Sequence, residues 1–217
     1  MVALDLPDAS AALAMRDLLG DRVGWFKIGL RLFVSAGPDL LRRIGATHRV
    51  FLDLKFHDIP NTVAQAVESA GNLGVSMVNV HAAGGASMLA AAKEASSQFP
   101  AMKLIAVTIL TSDAMDQAAA RELAVARAEM GRVAGLDGVV CSVHEVAAIH
   151  AACGADFLTV TPGIRLLGQD VQDQQRVADP AGAIAQGADY LVVGRPIIQA
   201  ENPAAMAGVI LQQMRGL

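Results

Sequence analysis

Short runs of β-branched and other apolar residues recur along the whole chain, separated by stretches with helical spacing. The runs are Val2 to Leu6, Val23 to Gly29, Arg49 to Lys55, Val75 to His81, Lys103 to Leu110, Gly138 to Ser142, Phe157 to Thr161 and Tyr190 to Gly194. Each predicts a strand. Between them, Ser10 to Leu19 ahead of Gly20, Thr62 to Leu73 ahead of Gly74 and Ala181 to Ala185 ahead of Gly187 read as helices stopped by glycine. The long Ala-rich stretch from Ser112 to Gly135 predicts one or two helices more. Strands alternating with helices pair in parallel through βαβ crossovers. Eight such units in a single domain spanning residues 1–217 fit the α/β class as a (β/α)8 TIM barrel, at the short end of its size range. An open doubly wound sheet competes with it, but no G-x-G-x-x-G follows the first strand to cradle a dinucleotide.

Composition narrows the function classes. The chain is 53% hydrophobic but only 4% aromatic, which suits many short buried strands under Ala-rich helices. No apolar stretch approaches the roughly 18 to 20 residues of a membrane span, and the N-terminus lacks the order of a signal peptide. A cytoplasmic protein with no membrane partner is expected. The net charge of -4, with Trp25 and Tyr190 the lone residues of their kinds, argues against nucleic acid as a partner. Cys141 and Cys153 are too few and too far apart for a zinc cluster or a disulfide framework, so reduced thiols are expected.

In such a barrel the active site lies at the C-terminal ends of the strands. Polar residues fall there on nearly every run: Asp5, Lys27, Asp53 with Lys55, His81, Thr111, Ser142, Thr161 with Arg165, and Arg195. Any one of them could simply cap a strand. Charged residues at several ends together are hard to explain as caps. The most informative stretch is Phe51-Leu52-Asp53-Leu54-Lys55-Phe56-His57-Asp58-Ile59-Pro60-Asn61-Thr62. Strand alternation puts Asp53 and Lys55 on one face, at the barrel mouth, with Leu52 and Leu54 on the other. Asp58 follows in the loop, ahead of a turn and a helix start at Pro60. A lysine held among carboxylates keeps its proton, so Lys55 is suited to donate one, and ionised carboxylates beside an anionic substrate group favour its expulsion. His57 and His81 are expected to make local hydrogen bonds rather than to bind a metal.

A phosphate site is expected at the last two strand ends, where barrels of this kind use backbone N–H groups. Thr161-Pro162-Gly163-Ile164-Arg165 and Val193-Gly194-Arg195-Pro196 supply glycines for close approach and arginines for a bidentate grip. Between them Leu166 to Arg176 is polar and Gln-rich, a candidate lid.

These residues resemble the orotidine 5′-monophosphate decarboxylase family, nearly end to end. The resemblance is carried by Val2-Ala3-Leu4-Asp5, Phe26-Lys27-Ile28-Gly29, the block Asp53 to Thr62, Val80-His81-Ala82, Thr108 to Ser112, Thr161 to Arg165 and Val193 to Pro196. It implies conversion of orotidine 5′-monophosphate to UMP in pyrimidine biosynthesis, with no metal or organic cofactor, by a homodimer with active sites at the subunit interface. By position, Asp5 and Lys27 would bind the ribose hydroxyls, Lys27 also joining the charged network. Asp53 and Lys55 would stand beside C6 of the pyrimidine, and Asp58 and Thr62 would reach in from the partner. Thr111 would contact the pyrimidine, and Arg165, Gln174, Gly194 and Arg195 would line the phosphate end. Loss of CO2 would leave a carbanion that Lys55 protonates. Leu166 and Gln175 depart from the family's usual Pro and Arg, and the stretch between strands five and six is shorter than usual. Because the chain starts directly on strand one, a preceding segment that closes the barrel bottom is expected to be missing.

The nearest rival is the sister group of keto-gulonate and hexulose phosphate enzymes, which shares the D-x-K-x-x-D block and binds Mg2+. That ion prefers an acidic ligand on strand two, where this chain has Lys27. A catalytically dead barrel that only senses a phosphorylated ligand would be expected to lose Lys55 or an aspartate, and all are present.

Overall fold

The computed structural model describes residues 1–110, 113, 115–166 and 178–216. Eight parallel strands form one sheet in chain order: β1 (Val2–Ala3), β2 (Trp25–Gly29), β3 (Arg49–Phe56), β4 (Met77–His81), β5 (Lys103–Val107), β6 (Gly138–Val140), β7 (Leu158–Thr161) and β8 (Tyr190–Leu191). The sheet closes on itself. Val2 bridges Val193 in parallel, with Ala3 N–H donating to the Val193 carbonyl at 2.8 Å. All eight predicted strands are present, mostly shorter than the apolar runs because residues such as Leu110 and Ser142 at the mouth, and Val23 and Val75 at the opposite end, lie outside the ladder.

The helices are α1 (Ala9–Leu19), α2 (Leu30–Ala36), α3 (Pro38–Gly45), α4 (Pro60–Asn72), α5 (Gly85–Ser96), α6 (Gln117–Val133), α7 (Val143–Cys153), α8 (Pro180–Ala185), α9 (Arg195–Ile198) and α10 (Pro203–Met214). The Ala-rich stretch is thus one helix, α6, started by Asp116, whose carboxylate accepts from the N–H groups of Ala118 and Ala119. Ser142 and Glu145 form a reciprocal capping box at the start of α7, and Pro60 opens α4 with the φ a first turn needs.

Alternation along the strands sorts the core into two layers. Val2, Phe26, Ile28, Leu52, Val78, Val80 and Leu104 face outward and pack under the helices, each large side chain contributing roughly 1.5–3 kcal/mol relative to exposure. Ala3, Phe51, Met77, Ile105, Val160 and Val192 face inward and fill the barrel. This filled interior is what makes the mouth a floor-bound cavity rather than a pore.

Candidate active site

Two residues beyond that inward apolar layer, the same faces turn polar. Asp5 follows Ala3, Lys27 follows Trp25, Asp53 follows Phe51 and Asn79 follows Met77. The side chains meet in one chain of contacts. Lys27 Nζ lies 3.0 Å from Asp5 Oδ1 and 3.3 Å from Asp53 Oδ2, and Lys55 Nζ lies 2.7 Å from Asp53 Oδ1. Asn79 Nδ2 donates to that same Asp53 oxygen at 2.7 Å. Lys27 and Asn79 are buried, and about a third of the Lys55 side chain is open to the cavity (33%).

Electrostatics holds the chain in its ionised form. Burial by itself would raise the Asp53 carboxyl, but Lys27 and then Lys55, with hydrogen bonds from Lys55 and Asn79, outweigh it and keep Asp53 below the usual carboxylate range. Burial likewise disfavours charge on Lys27, yet Asp53 and Asp5 hold its pKa above the ordinary lysine value.

Lys55 reaches Asp53 by a route that regular alternation does not predict. Its φ is 52°, and it alone among the described non-glycine residues has a positive φ. Such a conformation costs on the order of 1–3 kcal/mol and persists only where surroundings impose it. The β3–β4 ladder is irregular at the same place: Leu52 pairs with Val78, but the next pair is Phe56 with Val80. Over that bulge β3 carries extra residues, and the Lys55 N–H donates to Asn79 Oδ1 at 2.8 Å instead of to a backbone carbonyl.

The cavity above these groups measures about 490 Å3, in the range of small-molecule sites. Asp5, Lys27, Asp53, Lys55, Arg165, Gly194 and Arg195 all line it. Gly163, also in the lining, has φ +82°, a left-handed turn that favours glycine and brings the buried Arg165 to the wall. Arg165 is steadied by Nη1 donating to the Ile164 carbonyl at 2.8 Å, and its N–H donates to the Ala178 carbonyl at 2.9 Å. A Cβ on Gly194 would stand 3.7 Å from Asp5 Oδ2, so glycine there leaves the mouth open beside Asp5.

Asp58 and Thr62 are exposed and do not line the cavity of their own chain. Thr111, Gln174, Gln175 and nearly all of the Leu166 to Arg176 stretch lie outside the described residues. His81 does make a local hydrogen bond, Nδ1 accepting from Ala83 N–H at 3.2 Å, and stacks on His57 with ring centroids 5.4 Å apart. Burial, then the neighbouring His57 and Arg127, depress the His81 pKa. Cys141 also lines the cavity, but burial pushes its thiol far up, which suits a small apolar filler rather than a nucleophile. The residue that sequence inspection passed over is Asn79. Its signal is a single amide in the apolar run Met77-Val78-Asn79-Val80, in register with the inward face.

Residues 1–210 match the model of the orotidine 5′-phosphate decarboxylase / HUMPS family. The chain belongs to that family. It is 50% identical over 225 residues to an orotidine 5′-phosphate decarboxylase of Sodalis glossinidius, covering 99% of this chain and 89% of that protein. Against one of Moorella thermoacetica the identity is 48% over 231 residues, covering 99% and 91%. Among solved structures, the orotidine 5′-phosphate decarboxylase of Lactobacillus acidophilus superposes with a TM-score of 0.85 at 36% identity, covering 98% of this chain and 97% of that one. In this chain the side chain offered by β2 is the buried ammonium of Lys27 tied to two carboxylates. An ammonium in that position competes with a divalent cation for the same oxygens.

Proposed function

We propose that this chain decarboxylates orotidine 5′-monophosphate to UMP in pyrimidine biosynthesis, using its own side chains and neither a metal nor an organic cofactor. The observation that carries the reading is the alternating chain Asp5, Lys27, Asp53, Lys55 on the wall of a cavity that also takes in Arg165 and Arg195. The arginines and the Gly194 backbone suit the phosphate, with Gln174 joining them. Asp5 and Lys27 suit the ribose hydroxyls, and Thr111 the pyrimidine. The carboxylate on C6 then comes to rest against Asp53, where two like charges repel and departure of CO2 relieves them. The C6–carboxylate bond breaks with its electron pair left on C6. Lys55 delivers a proton to that carbon, and solvent returns one to the amine. Residues 1–217 are read as one barrel domain. Two free buried cysteines suit a reducing, cytoplasmic setting.

The direct test follows loss of orotidine 5′-monophosphate absorbance with EDTA-treated protein. Turnover indifferent to EDTA is expected. Absence of turnover, or turnover restored only by Mg2+, sinks the proposal.

The working unit proposed is a homodimer in which Asp58 and Thr62 complete the partner's site. Support comes from their exposure outside their own cavity and from exposed apolar residues on the segments that follow β2 and β3. Leu30 and Val34, one turn apart on α2 behind β2, are 58% and 81% exposed, and Ile59 beside Asp58 is 66% exposed. Exposed large apolar side chains of this kind are what a subunit contact covers. Mixing inactive Asp58→Ala with inactive Lys55→Ala protein is expected to recover about a quarter of wild-type activity, since half of randomly paired dimers are hybrids with one intact site. No recovery means that Asp58 acts within its own chain.

A further inference from the structure

We propose that Asn79 is the positioning residue of this site: its amide locks Asp53 and the backbone of Lys55 together, and so sets where the Lys55 ammonium stands. The inference rests on the decarboxylase reading above. Asn79 is fully buried, at 0% exposure, on the inward face of β4. A buried amide is unfavourable unless both of its ends are satisfied, and here each end has a partner on β3. The orientation of the amide is forced. An N–H of Lys55 can meet only the oxygen, at 2.8 Å, and the carboxylate of Asp53 can meet only the nitrogen, at 2.7 Å.

Both contacts fall inside the β3–β4 bulge, where the ladder between Leu52–Val78 and Phe56–Val80 is interrupted. There the side chain of Asn79 replaces the missing strand partner of Lys55, the described residue whose backbone is left-handed without being glycine. On the other side, Asp53 Oδ1 receives Asn79 Nδ2 and Lys55 Nζ together, so one amide fixes the rotamer of the carboxylate and the peptide of the lysine it holds. Shape and charge leave few substitutes. Aspartate has no donor for Asp53, leucine has neither group, serine is too short and glutamine too long. Asn79 also adds no charge, so Asp5 and Asp53 remain balanced by Lys27 and Lys55.

Without the amide, the Lys55 N–H loses its acceptor and the left-handed turn loses what imposes it. The ammonium then moves relative to the reacting carbon. The phosphate end is built on the loops after β7 and β8, and β4 lies half-way round the barrel from β8. Loss of Asn79 therefore acts on the chemical step rather than on substrate capture.

The experiment measures kcat and KM for orotidine 5′-monophosphate, the pH profile of kcat, and UMP affinity in Asn79→Ala and Asn79→Asp. For Asn79→Ala, kcat is expected to fall about 100-fold, the cost of displacing a catalytic group by about an ångström, while KM and the UMP Kd stay within about threefold. Asn79→Asp keeps the acceptor for Lys55 but faces Asp53 with a second carboxylate. Among the described residues, Lys27 from β2, Lys55 from β3 and, across Lys27, Asp5 just beyond β1 are the other charges around Asp53. The acid limb of the kcat profile, which reports groups in the bound complex, is expected to move to higher pH. A residue that merely packs would lower the Tm and leave that limb unmoved. Wild-type kcat and an unshifted limb in either folded variant overturn the inference, as does a loss of UMP binding that matches the loss of kcat. If Asn79→Ala does not fold, the near-isosteric Asn79→Asp decides alone. A wild-type protein that does not turn over orotidine 5′-monophosphate sinks both readings, whereas an active wild type with indifferent Asn79 variants sinks this one only.

Discussion

Replacing Lys55 by alanine is expected to lower kcat for orotidine 5′-monophosphate by about 10³-fold or more, the upper part of what a positioned proton donor supplies. The loss is large because the ammonium serves twice, as the source of the proton and as a positive charge beside the carbon that becomes a carbanion. The fold should tolerate the change. Asp53 Oδ1 still accepts from Asn79, Oδ2 still faces Lys27, and the lysine side chain is a third exposed, so stability should shift by no more than about 1 kcal/mol. UMP affinity should stay within about threefold, because the phosphate end keeps Arg165 and Arg195. Absorbance kinetics and a calorimetric melt check all three points. A variant that retains a tenth of the wild-type rate would mean that the proton comes from elsewhere.

The second large effect is expected at Asp53→Asn, which preserves shape and removes the charge that two lysines share. Lys55 loses its carboxylate, and the buried Lys27 is left with Asp5 alone. Breaking a buried pair leaves an uncompensated charge, and with Asp5 still present the lower end of that cost applies, about 3 kcal/mol. For a chain of this size that corresponds to a Tm lowered by about 6–12 °C. Turnover should fall by about 10²-fold or more, since both the repulsion acting on the substrate carboxylate and the anchor of Lys55 are gone.

The pH dependence follows from the direction of the Asp53 shift. Its folded pKa lies below the ordinary value of 3.8, so the stability it contributes is complete above 3.8 and is lost as pH falls through the folded value. The stability gap between wild type and Asp53→Asn should therefore be constant from neutrality down to about pH 4 and narrow below it. Denaturant titrations at a series of pH values measure the gap. A gap absent at pH 7, or one that does not narrow in acid, would mean that desolvating the carboxylate cancels its attraction to the lysines.

Much of this site could be read along the chain because it is built on local periods. Inward and outward faces alternate every second residue, so the apolar runs announced the strands, and the polar residues at their ends announced Asp5, Lys27, Asp53 and Lys55 as neighbours at one mouth. The helix caps at Asp116 and Ser142 are local as well, and the single helix α6 follows once the first of them starts it. The glycines and arginines of the last two loops were legible for the same reason, since a left-handed turn at Gly163 needs a residue type that shows in the sequence. Asp58 and Thr62 were singled out through the specificity of their block, and within one chain both are exposed.

The chain by itself thus determined a parallel eight-stranded barrel, the residues at its mouth and the balance of their charges. Only the tertiary structure decided the register of β4 against β3, and with it the bulge, the left-handed turn at Lys55 and the part played by Asn79. The amide meets its two partners across 24 and 26 residues of chain, and no period of 2 or 3.6 reaches that far. Where two neighbouring strands slip past one another is settled by the backbone groups that remain to be paired once the barrel has closed, and that is a property of the whole sheet.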